Sequence, residues 1–221
     1  MAADYRSHSA VGVGSGDLTI TKPTGTVDGD FLIAGFAHAT TGGTLNVTAT
    51  GWTQRGTIAT TQGHLCVMTK VASGEGASWA FTPSVSNDCH GIVVAISGGS
   101  GSYEMGTMAT AANAVTATLT TTLAGCLVCI AGGEANSAQT YASDGSYVER
   151  ADIHDATNSD VHIAAYTLSG TTAGAQTITV TATGGTHSPG AVLFLVQDAA
   201  AAATSLALPS PYRNLQHLLI R

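Results

Sequence analysis

Val115-Thr116-Ala117-Thr118-Leu119-Thr120 alternates an apolar residue with threonine, and Gln176-Thr177-Ile178-Thr179-Val180-Thr181 repeats the device later in the chain. A period of two is that of a strand with one face buried and the other in water. Threonine suits the wet face, because its branched β-carbon favours the pleated backbone while its hydroxyl stays solvated. Leu18-Thr19-Ile20-Thr21 carries the same pattern. By contrast, Phe31 to Phe36, Cys126 to Ile130 and Ala191 to Val196 are apolar on both parities. Such runs predict strands covered on both sides or placed at a subunit contact. Further strands are expected at His64 to Val71, Ala77 to Phe81, Ile92 to Ile96 and Val161 to Leu168, separated by Gly, Asn, Asp and Ser turns. Nothing between residues 17 and 198 sustains the i, i+3, i+4, i+7 repeat of a helix, so the expected fold class is all-β.

The bulk composition agrees. Of 221 residues, 44% are hydrophobic and only 10% charged, with 27 Gly. That argues for a packed core under a surface of Thr, Ser, Gly and Ala. The formal charge of −7 gives no basic patch to neutralise a phosphate backbone, so nucleic acid is not an expected partner. No apolar run reaches the roughly 18 to 20 residues of a membrane helix, and Met1 to Arg6 lacks the core of a signal peptide. Neither membrane association nor secretion is expected, and synthesis is placed in the cytoplasm. The sequon Asn46-Val47-Thr48 therefore carries no weight.

The chain also repeats itself. Asp30-Phe31-Leu32-Ile33 aligns with Gly125-Cys126-Leu127-Val128, and at the same offset of about 95 positions Trp52 meets Tyr147 and Arg55 meets Arg150. Ser73-Gly74 then matches Ser169-Gly170, and Gly91 to Val94 matches Gly190 to Leu193. Each half reads as strand, aromatic-turn-Arg, strand, Ser-Gly turn, strand and a Gly-led apolar strand. Short strands over so few residues bury too little on their own. The expected organisation is an N-terminal arm (1–16), a β-sandwich (17–198) of duplicated halves (17–98 and 114–198) with residues 99–113 crossing between them, and a tail (199–221). Two separate small sandwiches are the other arrangement that this pattern allows.

In the tail, Pro209 and Pro211 impose an extended stretch, and Asn214 can cap a short amphipathic turn. Eight residues do not hold a helix alone. The segment is expected to order only against a partner, through Tyr212, Arg213, Leu215, Leu218, Leu219 and Arg221.

Chemistry is sparse. His64, Cys66, Cys89 and His90 could in principle converge on zinc, yet they lack the knuckle spacing, and Cys126 and Cys129, three apart in a strand, should face opposite ways. All four cysteines are expected to be reduced apolar filler. Asp152, His154, Asp155, Asp160 and His162 form the richest ionisable cluster, with no nucleophile motif beside it, and are read as a solvated loop followed by a strand with an outward His. Glu104, Glu134 and Glu149 could pair for sugar chemistry, but aromatic residues are only 5% of the chain, and Trp52 and Tyr147 are read as packing residues. Gly12-Val13-Gly14-Ser15-Gly16 lies outside any strand-to-helix turn and cannot cradle a phosphate. Arg55 and Arg150 are read as closing their own turns or pairing with a local carboxylate, with a subunit contact as the alternative. No catalytic residue, cofactor or metal is expected.

Leu18 to Pro23, Val27-Asp28-Gly29-Asp30-Phe31-Leu32-Ile33-Ala34, Gly51-Trp52, Lys70 to Gly74 and Trp79-Ala80-Phe81-Thr82 together resemble a module of tailed-bacteriophage structural proteins. The resemblance covers the first half and reaches the second through the duplication. It implies a jelly-roll-like antiparallel sandwich found as a head decoration, head-fibre, tail or fibre component, with no catalytic residues. The expected role is a capsid decoration or cement protein on the virion surface. It would be a homo-oligomer, with a trimer favoured, bound to major capsid or tail proteins. A receptor- or glycan-binding tail module, recognising its target through loops at Asn136 to Ser146 and Thr183 to Ser188, is the alternative.

Overall fold

The computed structural model describes residues 1–13, 16–39, 44–60, 63–85, 88–134, 140–154, 161–183 and 189–199. The docking residues Tyr212, Arg213, Leu215, Leu218, Leu219 and Arg221 lie outside the described residues.

Seventeen strands and no helix make up the described chain. The first half comprises β1 (Asp4–Val13), β2 (Leu18–Thr21), β3 (Phe31–His38), β4 (Val47–Thr48), β5 (Thr53–Ala59), β6 (His64–Val71), β7 (Ser78–Pro83) and β8 (Cys89–Ser97). The second comprises β9 (Gly99–Met105), β10 (Ala109–Thr110), β11 (Ala114–Thr121), β12 (Gly125–Glu134), β13 (Thr140–Ser143), β14 (Val148–His154), β15 (Val161–Thr171), β16 (Gly174–Thr183) and β17 (Gly190–Asp198). The first half forms a large sheet β1-β8-β3-β6-β5 and a small sheet β2-β7-β4. The second half repeats the order as β17-β12-β15-β14, with β9 and β10 on the outer edge of β17, and β11-β16-β13. All pairs are antiparallel, and only β5–β6 and β14–β15 are sequential hairpins within their sheets. Winding strands from both ends of a unit into alternating neighbours makes a jelly-roll-like sandwich.

Three cores fill the stack. Leu18, Ile20 and Phe81 of the small sheet pack on Leu32, Ala34, Phe36 and Val93 of the first large sheet. Val115, Ala117, Ile178 and Val180 pack on Leu127, Cys129, Tyr166 and Leu193 in the second half. Between the two large sheets lies the third core, where Ile33, Val67 and Val94 meet Val128, Ile130, Ile163 and Phe194. Each half is thus a sandwich of its own, and the two are fused back to back in four layers. This explains the runs without alternation, since β3, β8, β12 and β17 are buried almost from end to end. The outer layers keep the clean alternation, with Thr116, Thr118 and Thr120 exposed and Val115, Ala117 and Leu119 inside.

Close approach at the centre depends on Gly35, where a Cβ would overlap Ile130 Cγ2 and sit 3.2 Å from Ile163 Cδ1. Gly132 stands opposite Ala37 in the same way, at 3.0 Å for an added Cβ. Both pairs join residues one repeat apart, as an approximate two-fold between the halves requires.

Three expectations are corrected. Residues 4–13 are not an arm but strand β1, running antiparallel to β8. Its alternation is broken at Arg6, a bulge between Tyr5 and Ser7, so the period of two was hidden. The crossing at 99–113 is likewise built from β9 and β10 on the edge of β17, leaving Gly98 as the link between halves. The duplicated unit therefore starts at β1 and β9, ahead of residues 17 and 114. Finally, Arg55 and Arg150 sit in strands β5 and β14, not in turns.

Candidate functional site

Arg55 and Arg150 are the bulged residues of their strands, in register shifts between Gln54 and Gly56 and between Glu149 and Ala151. A bulge re-aims a side chain, and here it turns each arginine toward the other half. Arg55 Nε donates to Thr69 Oγ1 at 2.7 Å with its guanidinium 5.2 Å from the ring of Tyr103. Arg150 Nε donates to Thr167 Oγ1 at 2.7 Å and lies 3.8 Å from the ring of Tyr5. The two latches are reciprocal, each arginine stacking on the first strand of the opposite half. They join the halves within one chain, which replaces the expectation of a closed local turn.

Trp52 is 8% exposed and meets Trp79 and Phe81 edge-on, at ring separations of 5.4 and 5.2 Å. Beside it, Asn46, Val47, Thr48, Ala49, Gln54 and Met68 line an open groove of about 550 Å³ between β4 and β5. Gln54 closes its floor, accepting from Val47 N at 2.9 Å and donating to Asn46 Oδ1 at 3.2 Å.

The same seam in the second half, between β13 and β14, is chemically different. Asp152 Oδ2 accepts from Tyr141 N at 3.1 Å, as Gln54 does from Val47. Its other oxygen pairs with His162 Nε2, and the Tyr141 ring stacks on the fully buried imidazole at 3.8 Å and 9°. Glu149 pairs in register with Tyr166, and Asp152 with Ala164, so both carboxylates lie on the Tyr166 side of the strand, Glu149 exposed and Asp152 partly buried. Burial, then the neighbouring Asp152 charge, pushes the Glu149 carboxyl up against a smaller opposite pull from His162. Burial likewise raises the Tyr166 and Tyr141 phenols, helped by Asp152 in both and by Glu149 in Tyr166. The Tyr141 and Tyr166 hydroxyls and His162 Nδ1 are buried without a hydrogen-bond partner.

Of the ionisable cluster, Asp152 and His162 come together, and exposed His154 lies 5.7 Å from His162 ring to ring. Asp155 and Asp160 lie outside the described residues. The pair has the elements of a base and its orienting carboxylate, yet His162 is enclosed behind Tyr141. The expected outward His is corrected, since His162 is fully buried and paired with Asp152, while the loop at 155–160 lies outside the described residues. Tyr141 and Tyr166 were not singled out from sequence, because a tyrosine inside a strand reads as core.

His64, Cys66 and Cys89 share the inner face of the first large sheet, while His90 pairs with Ala37 on the opposite face. Among the described residues no group of three such ligands stands close enough to hold a metal ion. All four cysteines are free and buried. Burial pushes the Cys66 and Cys89 thiols up to about 12 and Cys126 to about 11. Cys126 faces the inter-half core and Cys129 the second-half core. Glu104 accepts from Thr122 N and Oγ1 and from Gln197 Nε2, a structural clasp.

Comparison with protein-family models, with curated proteins and with solved structures gives no match.

Proposed function

We propose that this chain is a non-catalytic structural component of a tailed-bacteriophage particle, a decoration or cement protein on the outside of the head, in contact with major capsid proteins. The sequence resemblance supplies the particle. The single structural observation in its favour is the construction of the body, two sandwiches fused through a third core and reciprocal Arg–Tyr latches. Such a body is stiff, because an interior packed this densely transmits load and does not yield to it. Its outer sheets present Thr19, Thr21, Thr48 and Thr82 on one side and Thr116, Thr118, Thr177 and Thr181 on the other, without a charge. Residues 204–221 supply the fastening peptide, and copies of the chain associate, with a trimer favoured.

A tail or fibre module binding a host receptor or glycan is the second reading, favoured by the open groove beside Trp52 and its amide pair Asn46 and Gln54. Deletion of residues 204–221 discriminates. On the decoration reading the truncated protein folds but is lost from purified particles, and undiminished incorporation overturns it. Gold-labelled particles carrying the label on the tail, with adsorption to host cells blocked by the free protein, would support the second reading instead.

A further inference from the structure

We propose that the seam between β13 and β14 is a guanidinium site, and that it takes Arg213 of the chain's own C-terminal segment while the protein is free of its particle. The proposal rests on reading residues 204–221 as a docking peptide, and names where that peptide sits before it engages a neighbour.

Charge distribution gives the first argument. Residues 99–199 carry eight carboxylates against Arg150 alone, whereas residues 1–98 carry six against four lysines and arginines. Residues 200–221 hold two arginines and no carboxylate. Arg150 is already committed to Tyr5 and Thr167. Glu149, which is exposed, and the partly buried Asp152 lie on the same side of β14, and Asp152 already holds the His162 imidazole. Two neighbouring carboxylates repel, and a shared cation relieves them both.

Unspent hydrogen-bonding capacity gives the second, independent argument. The hydroxyls of Tyr141 and Tyr166, residues 2% and 0% exposed, have no partner. A buried polar atom left unsatisfied is costly. Phenol oxygens and carboxylates together form an acceptor set, and a guanidinium, with five N–H donors in a planar fork, is the side chain that fits several acceptors at once. The equivalent seam of the first half has Met68 in place of Tyr166 and Gln54 in place of Glu149, and Gln54 is satisfied by Val47 and Asn46. The second half has thus departed from its twin at the positions that create the acceptors.

Reach gives the third. β17 ends beside Gly125 of β12, while Tyr166 pairs with Cys129. From Asp198 the seam is on the order of 20 Å away, four residues along and three strands across at ~3.4 and ~4.8 Å each. An extended stretch from residue 200 to Arg213 spans roughly 40 Å. Tethering gives the segment a high effective concentration over any second copy.

The test is trypsin cleavage after Arg213 in the full-length protein, followed by mass spectrometry of the released residues 214–221, with cleavage in the body as internal control. Docking protects Arg213, so Glu149→Gln should speed cleavage roughly tenfold, the scale of one lost charge-assisted hydrogen bond. Tyr166→Phe removes an unsatisfied hydroxyl without harming the fold and should also speed cleavage. Equal rates in the wild type and both variants overturn the proposal. Protection that fades on dilution overturns the intrachain occupant and assigns the site to a second copy. Loss of particle incorporation in the truncated protein alongside unprotected Arg213 would leave the docking role standing and refute this site alone.

Discussion

Gly35 is a position at which a single methyl group strains the contact between the two halves. Gly35→Ala places a Cβ into Ile130 Cγ2 and within 3.2 Å of Ile163 Cδ1, both from the opposite half. Overpacking of a dense core costs about 1–3 kcal/mol, offset by about 0.5–1 kcal/mol from the stiffer unfolded chain and better strand propensity. A net loss of about 0–2.5 kcal/mol is expected from these terms. Ile130→Ala alone should cost about 2–5 kcal/mol by leaving a cavity in the inter-half core. Because it also removes the clashing methyl, the double variant should be more stable than the sum of the two losses by about 1 kcal/mol. Urea denaturation followed by far-UV circular dichroism measures all three. Additivity within about 0.5 kcal/mol would mean that residues 35 and 130 do not touch, and the back-to-back packing of the halves would be wrong.

Three further outcomes follow from the same geometry. Trp52 and Trp79 report the first half only, so tryptophan fluorescence and circular dichroism should trace one shared urea transition; separate midpoints would show that the third core does not couple the halves. Arg150→Lys keeps the charge but loses the planar stack on Tyr5 and the Nε bond to Thr167, and should lower stability by about 1–2 kcal/mol in low salt, with no change refuting the latch. Burial by itself would raise the Glu75 carboxyl, but Lys70, the Ser73 amide and the Trp79 indole hold it below its ordinary value of 4.5. A depressed carboxyl contributes stability above its unfolded value and loses it as pH falls through the folded one. Glu75→Gln should therefore lower the melting temperature at pH 7 and match the wild type near pH 2; an equal deficit at both would contradict the ion pair.

Sequence alone determined the all-β class, the outer strands and the duplication, because a period of two and a repeated order of turns are local signals that need no partner to be read. Val115 to Thr120 has the faces its alternation required, and Cys126 and Cys129 point apart as their spacing demanded. It also marked Arg55 with Arg150 and Asp152 with His162 as positions to watch, though not for what they do. Only the tertiary structure decided that β1 and β9 belong to the sheets, since a bulge at Arg6 and a glycine-rich edge erase periodicity. It also decided what covers the doubly apolar strands. A run buried on both faces records that two neighbours exist, and whether they belong to the same chain depends on contacts between residues far apart in sequence. The seam of Tyr141, Glu149, Asp152, His162 and Tyr166 was hidden for the same reason: its residues come from three strands and meet only when the two sheets of the second half close.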